Sequence, residues 1–590
     1  MVGLFSKGMF ELNWKIEYDR WHHFADLDDE LKNELLNITD ETQLEDCFYK
    51  DLEFGTGGMR GELGVGTNRL NIYTIRKATQ GLANYIKDNG SNAIKKGVVI
   101  AYDSRHKSPE FALEVAKVLA TNGITAYLFD SLRATPVLSF AVRHLNAFSG
   151  IVLTASHNPP EYNGYKVYGE DGGQLPPEAA NKLVTYVNKV PNELLVNVAE
   201  LTPDQTHPLI KNIGSTVDEA YLKNLKNVTL QPEMVSDSGQ ALSIVFSPLH
   251  GTSRIMIQEG LKNIGFSNVT TVKEQEMPDP NFSTVKSPNP EEHDAFSYAI
   301  RYGEELNADI LLATDPDADR LGVAVKNPEG EYVVLTGNQT GALMLEYLLS
   351  QKKILGTLPR HGMILKTIVT SEIGRVIGEN YGIDTLDTLT GFKFIGEKIE
   401  AFSSSGEYDF QFGYEESYGY LLDDFVRDKD AIQGAVFACE VALYYKLQNK
   451  TLYDGLMEIF EKYGYFYEDL HALTLKGIAG VAQIKRIMNH FRETDFTQFA
   501  DFDVEMVEDY QFGVRKIVGA NWEEKIDLPN SNVLKYHLSH SNWFCLRPSG
   551  TEPKIKFYFG TKDTATDAAL KNISKMKTQL LKMVDDVINH

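Results

Sequence analysis

The chain has 590 residues and a formal net charge of −24 at pH 7. At roughly 150 residues per domain, that length predicts about four domains. The negative field repels nucleic acid and anionic membrane, and it repels phosphorylated substrates too unless a locally positive pocket receives them.

Apolar residues make up 43% of the chain, enough for several buried cores. The three cysteines, Cys47, Cys439 and Cys545, lie far apart and form no CxxC. That argues against a disulfide framework or structural zinc and fits a reducing, cytoplasmic setting. No stretch approaches a membrane span, and residues 1–10 are too short and polar for a signal peptide.

In chain order, Gly97 to Asp103 predicts a buried strand. Ser108-Pro109 then predicts a helix start with the serine as N-cap, closed by Asn122-Gly123. Ile124 to Phe129 is the next strand, which makes a strand–helix–strand unit. Ile151 to Thr154 is a short apolar strand with Ser156 just past its end, where open α/β sheets place ligands. Pro176 to Val190 predicts a helix, and the polar stretch from Asn192 to Ser215 a linker. Thr216 and Glu219 suit a capping box. Ala241 to Phe246 and Ile310 to Ala313 predict strands, and a third unit runs from about Val333 to a helix around Ala435 to Tyr445. In the tail, Ile555, Phe557 and Phe559 alternate with Lys554, Lys556 and Tyr558, a half-buried strand. An amphipathic helix follows, with Ile573, Met576, Leu580, Val584 and Val587 on one side.

Two segments carry the chemistry. Thr154-Ala155-Ser156-His157-Asn158-Pro159 offers one serine, and Asp315-Pro316-Asp317-Ala318-Asp319-Arg320 offers three carboxylates at alternate positions. In an extended loop those carboxylates point the same way, and an all-oxygen set suits Mg²⁺. An EF-hand is excluded, because Arg320 falls where its glycine belongs and Lys326 where its glutamate belongs. A phosphatase of the aspartyl-phosphate type, using Asp315, stays open. A serine after a strand is by itself an ordinary turn residue, and the sequence around it is not G-x-S-x-G. His157, its immediate neighbour, is expected to point away from it. Paired with the aspartates, Ser156 suggests phosphoryl transfer through a phosphoserine.

Three further segments are weaker alone. Gly55-Thr56-Gly57-Gly58-Met59-Arg60-Gly61 is a glycine-rich loop ending near a cation, and its spacing fits neither a P-loop nor a dinucleotide fingerprint. Gly413-Tyr414-Glu415-Glu416-Ser417-Tyr418-Gly419 suits hydroxyl-rich ligands, or is a plain acidic turn. Arg547-Pro548-Ser549-Gly550-Thr551-Glu552-Pro553 between two strands makes a phosphate cradle, or a plain hairpin turn.

From about Phe54 to Tyr558, these motifs in this order resemble the α-D-phosphohexomutase family, the phosphoglucomutases and phosphomannomutases. The resemblance implies an α/β chain of four domains, three similar α/β units with mixed sheets plus a smaller C-terminal α+β domain around one central cleft. The implied boundaries are a helical extension over 1–45, then domains over 46–205, 206–326, 327–460 and 461–590. It implies Ser156 as phosphoryl carrier, and Asp315, Asp317 and Asp319 holding Mg²⁺ with a phosphoserine oxygen. Arg60 and Arg320 would lie beside the transferring group, and His157 and Lys166 near the reacting oxygen, either one a candidate general base. Glu415 and Ser417 would read the sugar with Lys393. Arg547, Ser549, Gly550, Thr551 and Lys556 would hold the non-reacting phosphate.

The implied reaction interconverts glucose 1-phosphate and glucose 6-phosphate through glucose 1,6-bisphosphate, with mannose or pentose phosphates as alternative substrates. A sugar-phosphate sensor with no catalytic role is the non-enzymatic alternative. The expected partners are small sugar phosphates, with no nucleic acid or membrane, on a monomer or weak homodimer. Tyr414, Ala431 and Lys556 depart from the common family pattern and point to its branch of long bacterial phosphoglucomutases and phosphopentomutases.

Overall fold

The computed structural model describes residues 14–55, 58–204, 206–475, 477–520, 522–549 and 554–589. The chain divides into two compact units. The first comprises Met1–Gly337, Ile395–Glu407 and Ser417–Asn449, and the second Asn338–Phe394, Tyr408–Glu416 and Lys450–His590.

The first unit opens with helices over 14–22, Asp29–Asn37 and Glu41–Phe48. Aspartates start the last two: Asp28 accepts from the N–H groups of Glu30 and Leu31, and Asp40 from that of Thr42. Their apolar sides, including Trp14, Trp21, Leu35 and Phe48, pack on Val65, Tyr73 and Leu194. Trp21 is fully buried, and its Nε1–H donates to Glu193 Oε1 at 2.9 Å.

A seven-stranded sheet follows. Its strands are β1 (Phe54–Gly55), β2 (Gly58–Glu62), β3 (Val98–Tyr102), β4 (Ala126–Phe129), β5 (Ser149–Leu153), β6 (Tyr162–Tyr168) and β7 (Ile210–Ile213), in the order β1-β2-β6-β5-β3-β4-β7. Strands β5, β3, β4 and β7 run parallel, and β6 returns antiparallel beside β5. Every residue of β5 is buried, as a strand covered on both faces requires.

A second sheet has the order β12-β11-β10-β8-β9, from β8 (Ile244–Ser247), β9 (Val269–Thr271), β10 (Ile310–Thr314), β11 (Leu321–Lys326) and β12 (Tyr332–Val334). Here β8 lies parallel between β9 and β10, and β11 returns antiparallel. The plan of the first sheet is thus repeated, with β10 in the place of β5. In the second unit, β13 (Gly362–Thr367) again lies parallel between β14 (Asp384–Thr388) and β15 (Asp409–Glu415).

The second unit ends in an antiparallel, eight-stranded sheet with helices Gly477–Glu493 and Thr566–Asn589. Its core includes Phe491, Phe544, Phe557, Phe559, Ile573, Met576, Leu580 and Val584. This is the expected three α/β units and smaller α+β domain. Among the described residues no helix is long and apolar enough to cross a membrane.

Several local expectations need correcting. The helix Ser108–Thr121 is capped by Lys107 with φ 66°, not by Ser108. The Ser108 hydroxyl donates instead to Asp103 Oδ1 at 2.8 Å. Thr216 makes no capping box, since Gly214 precedes the helix Ser215–Leu225 without a side-chain cap. The supposed linker contains β7, which extends the first sheet, and buried Glu193. The strand that the sequence sets at Ala241–Phe246 runs instead over Ile244–Ser247, after a short turn of helix at Gly239–Ala241.

Trp21 ties the N-terminal helices to the first sheet's flank. Trp21→Ala should lower the unfolding free energy of the full chain's first transition by about 3–5 kcal/mol. Denaturant unfolding followed by near-UV circular dichroism would check this, and a change below about 1 kcal/mol would contradict it.

Candidate active site

The serine loop follows β5, and the aspartate loop follows β10, its counterpart in the repeated plan. Ser156 is nearly buried and adopts a left-handed backbone with φ 54°. Its N–H donates to Thr154 Oγ1 at 2.8 Å, and its hydroxyl donates to Asp315 Oδ2 at 2.6 Å. The two segments singled out in the sequence therefore meet at the serine oxygen. His157 Nδ1 lies 3.2 Å from the same Oγ, contrary to the expectation that it points away. The left-handed turn at Ser156 brings adjacent side chains together where an extended backbone would separate them.

The three aspartates are buried, each with a carboxylate oxygen within 4.8 Å of the others. Alternation along an extended loop is not what gathers them. Residues 315–318 form a turn, in which the Ala318 N–H donates to the Asp315 carbonyl at 3.0 Å and Ala318 is left-handed at φ 57°. Asp315 Oδ1 accepts from the backbone N–H groups of Asp319 at 3.1 Å and Arg320 at 3.0 Å. Behind the turn stands Gly251, where an added methyl group would run into the Pro316 backbone. The Thr252 N–H and hydroxyl both donate to the Pro316 carbonyl, at 2.9 and 3.0 Å.

Cations surround the triad. Lys166 Nζ on β6 lies 2.9 Å from Asp317 Oδ2, and Lys429 Nζ lies 3.0 Å from Asp319 Oδ2. The Thr135 hydroxyl donates to Asp317 Oδ2 at 3.0 Å. Arg320 pairs with Glu291, and Arg60 Nη1 donates to Asn158 Oδ1 at 2.9 Å. Lys429 and Thr135 were not singled out in the sequence, because only tertiary folding brings them here. Tyrosines fix the segment around Lys429 on both sides: the Tyr168 hydroxyl donates to Asp428 at 2.7 Å and the Tyr221 hydroxyl to Asp430 at 2.6 Å.

These contacts set the proton affinities. Burial, together with the Asp317 and Asp319 charges, pushes Asp315 well above the usual carboxylate range. Burial would raise Asp317 too, but the Lys166 ammonium outweighs it and holds Asp317 far below that range. Burial, with Arg320 and Arg60 nearby, lowers the His157 imidazole well below its ordinary value, so the ring is neutral at pH 7.

The triad fits a hard divalent cation. Among the described residues, Asp317 Oδ1 and Asp319 Oδ1 are buried with no hydrogen-bond donor. Buried carboxylate oxygens left unpaired are costly, and an oxygen-seeking cation is what such a set accommodates.

In the second unit, Glu415 ends β15 and its Oε1 accepts from the Gly391 N–H at 2.9 Å, joining the sugar-loop candidate to the loop before Lys393. Burial, with Arg547 nearby, brings the Lys393 ammonium down to about 8. Arg547 Nη1 donates to the Tyr558 hydroxyl at 3.2 Å, and Arg547 stands opposite Lys556 on paired strands Asn542–Pro548 and Lys554–Asp563. The Ser549 N–H donates to the Lys554 carbonyl at 2.7 Å, which closes the base of that hairpin. Gly550 and Thr551 lie outside the described residues, as do Thr56 and Gly57 of the glycine-rich loop. Ser417, in the turn after β15, falls in the first unit and is half-buried.

Three consecutive family models match this chain. They are phosphoglucomutase/phosphomannomutase α/β/α domains I, II and III, over residues 51–193, 219–330 and 336–463. The chain belongs to the phosphoglucomutase/phosphomannomutase family. A phosphoglucomutase of Staphylococcus epidermidis is 40% identical over 542 residues, covering 90% of this chain and 96% of that protein. One from Staphylococcus haemolyticus is 39% identical, covering 92% and 95%. Among solved structures, the Paramecium phosphoglucomutase parafusin in its open form aligns with a TM-score of 0.66 at 17% identity, covering 92% of this chain and 96% of that one. A Burkholderia thailandensis member of the phosphoglucomutase/phosphomannomutase family aligns at 0.64 and 18%, covering 90% and 97%. These two likenesses show the shared fold. The mutase family's members are isomerases, and this chain is an enzyme of that class.

Gly251 lets the aspartate loop sit close to its support. Gly251→Ala should weaken Mg²⁺ or Mn²⁺ binding by about tenfold or more while leaving the far-UV circular dichroism unchanged. Titration calorimetry on the full chain reads this directly, and parental affinity would show that the contact does not hold the loop.

Proposed function

We propose that this enzyme is a phosphoglucomutase, interconverting α-D-glucose 1-phosphate and glucose 6-phosphate through a phosphoserine at position 156. The observation that carries the reading is the Ser156 hydroxyl donating to Asp315 at 2.6 Å within a buried carboxylate triad. The 40% identity to a staphylococcal phosphoglucomutase supports glucose as the sugar.

In the forward direction the Ser156 Oγ–P bond breaks as the sugar's free hydroxyl oxygen bonds to phosphorus, giving glucose 1,6-bisphosphate. The departing Ser156 oxygen takes up a proton from His157, whose ring lies 3.2 Å from it, and the sugar hydroxyl's proton restores the ring. The bisphosphate turns over, and Ser156 takes back the other phosphoryl group as the proton returns. Free bisphosphate primes enzyme that has lost its phosphate.

Lys166 is already paired with Asp317, so it acts as a fixed cation rather than a base. Asp315, Asp317 and Asp319 would hold Mg²⁺, which when bound neutralises charge on the transferring phosphoryl group. Arg60 and Arg320 bind its equatorial oxygens. In the second unit Glu415 and Lys393 are assigned to the sugar, and Arg547, Ser549 and Lys556 to phosphate recognition.

Two measurements test this. Ser156→Ala should lower kcat for glucose 1-phosphate by on the order of 10³-fold or more. Parental turnover in that variant would refute the carrier role, and a higher kcat/KM for mannose or ribose 1-phosphate in the parent would move the assignment to those sugars. The second concerns Lys393, whose charged form donates to the substrate and is lost as pH rises through about 8. The parent's kcat/KM should therefore fall above about pH 8, and Lys393→Arg should remove that limb. An unchanged profile in the arginine variant would exclude Lys393 from the pocket.

A further inference from the structure

Arg105 is almost wholly buried, at 1% exposure, and has no part in the chemistry above. It follows β3 in the sequence Asp103-Ser104-Arg105. Its guanidinium reaches across to the loop after β5. Nη1 donates to the carbonyl oxygens of Pro159 at 2.8 Å and Tyr162 at 2.9 Å. Nη2 donates to the carbonyl oxygens of Ser156 at 2.6 Å and Asn158. The Nε edge faces Asp103 Oδ2 at 3.4 Å. Asp103 is itself buried and anchored, its Oδ1 accepting from the Arg105 N–H at 2.9 Å and the Ser108 hydroxyl at 2.8 Å. The Phe282 ring lies against the guanidinium, 4.9 Å from centroid to Cζ.

Carbonyls spread over residues 156–162 are thus drawn onto one planar cation. A guanidinium offers several donors in a fixed fork, whereas a lysine offers its donors from a single point and cannot span the same acceptors. The loop needs such a hold, because Ser156 is a non-glycine residue in the left-handed region, a conformation costing about 1–3 kcal/mol that persists only when its surroundings fix it.

We infer that Arg105 is a positioning residue for the phosphoryl carrier: by clamping the carbonyls of the serine loop, it holds the Ser156 oxygen against the aspartate triad. The inference rests on the reading of Ser156 as carrier. It assigns Arg105 no contact with substrate.

Full-length Arg105→Ala and Arg105→Lys test it. Three quantities are compared with the parent: melting temperature, kcat and KM for glucose 1-phosphate, and phosphate on Ser156 by intact mass after exposure to glucose 1,6-bisphosphate. Both variants should lose about 100-fold in kcat, the cost of a misplaced reacting atom, with KM within about threefold. Phosphate uptake should slow in step. Millimolar guanidinium chloride should restore kcat at least about tenfold in the alanine variant and not in the lysine variant. Parental kcat, or a loss confined to KM, would overturn the inference. So would a kcat loss without rescue accompanied by a lowered melting temperature, which would make Arg105 a fold stabiliser only. Should neither variant fold, Asp103→Asn keeps the guanidinium and frees it from its anchor. It should lower kcat about tenfold, and parental kcat there would overturn the inference. A parent that takes up no phosphate on Ser156 would instead defeat the carrier reading, whatever the Arg105 variants do.

Discussion

Carboxylates held a few ångströms apart inside a protein repel by several-fold more than the roughly 1 kcal/mol they would feel in water. Asp315, Asp317 and Asp319 are in that position, and the surrounding contacts answer their repulsion. Lys166 and the Thr135 hydroxyl serve Asp317, Lys429 pairs with Asp319, and two backbone N–H groups and the Ser156 hydroxyl donate to Asp315. Among the described residues two of their oxygens, Asp317 Oδ1 and Asp319 Oδ1, still lack a donor, an opening that a divalent cation would fill. A phosphate on Ser156 would add roughly −1.5 to −2 charges beside them. A cation that satisfied the triad would therefore also make a phosphoserine tolerable there.

The fold delivers these groups by repetition. A central parallel strand, a parallel neighbour and a third parallel strand recur in each α/β unit, and a functional segment leaves the carboxyl end of the third strand each time. Ser156 follows β5, Asp315 follows β10, and Glu415 closes β15. Carboxyl ends of strands are where open α/β sheets expose backbone groups to ligands. One architectural position thus carries three different polar segments, a serine loop, a triple-aspartate turn and a glutamate at a strand end, each set after an apolar strand.

Much of this was legible in the sequence, because strands β3, β5 and β10 are uninterrupted apolar runs and the polar segments after them are unmistakable breaks. What escaped depends on backbone handedness and on long-range packing. The approach of His157 to Ser156 follows from a left-handed serine, which neighbouring residues do not announce. The aspartates converge through a turn at Ala318, where alternation suggested an extended loop. Strand β7 is short and set among polar and proline residues, so only its pairing with β4 reveals it. Lys429 and Arg105 lie far along the chain from the residues they touch, and no local pattern marks either as a partner of the triad or of the serine loop.

The central claim is that Ser156 is the atom that carries phosphate. The most direct measurement is to treat the enzyme with ³²P-labelled glucose 1,6-bisphosphate and Mg²⁺, digest it, and map the label. The account predicts one labelled peptide, containing Ser156, stable to acid and to hydroxylamine, whose label passes to hexose phosphate when unlabelled glucose 1-phosphate is added. Label released by hydroxylamine and mapping to the peptide of Asp315, or label on Ser156 that unlabelled substrate cannot chase, would contradict it.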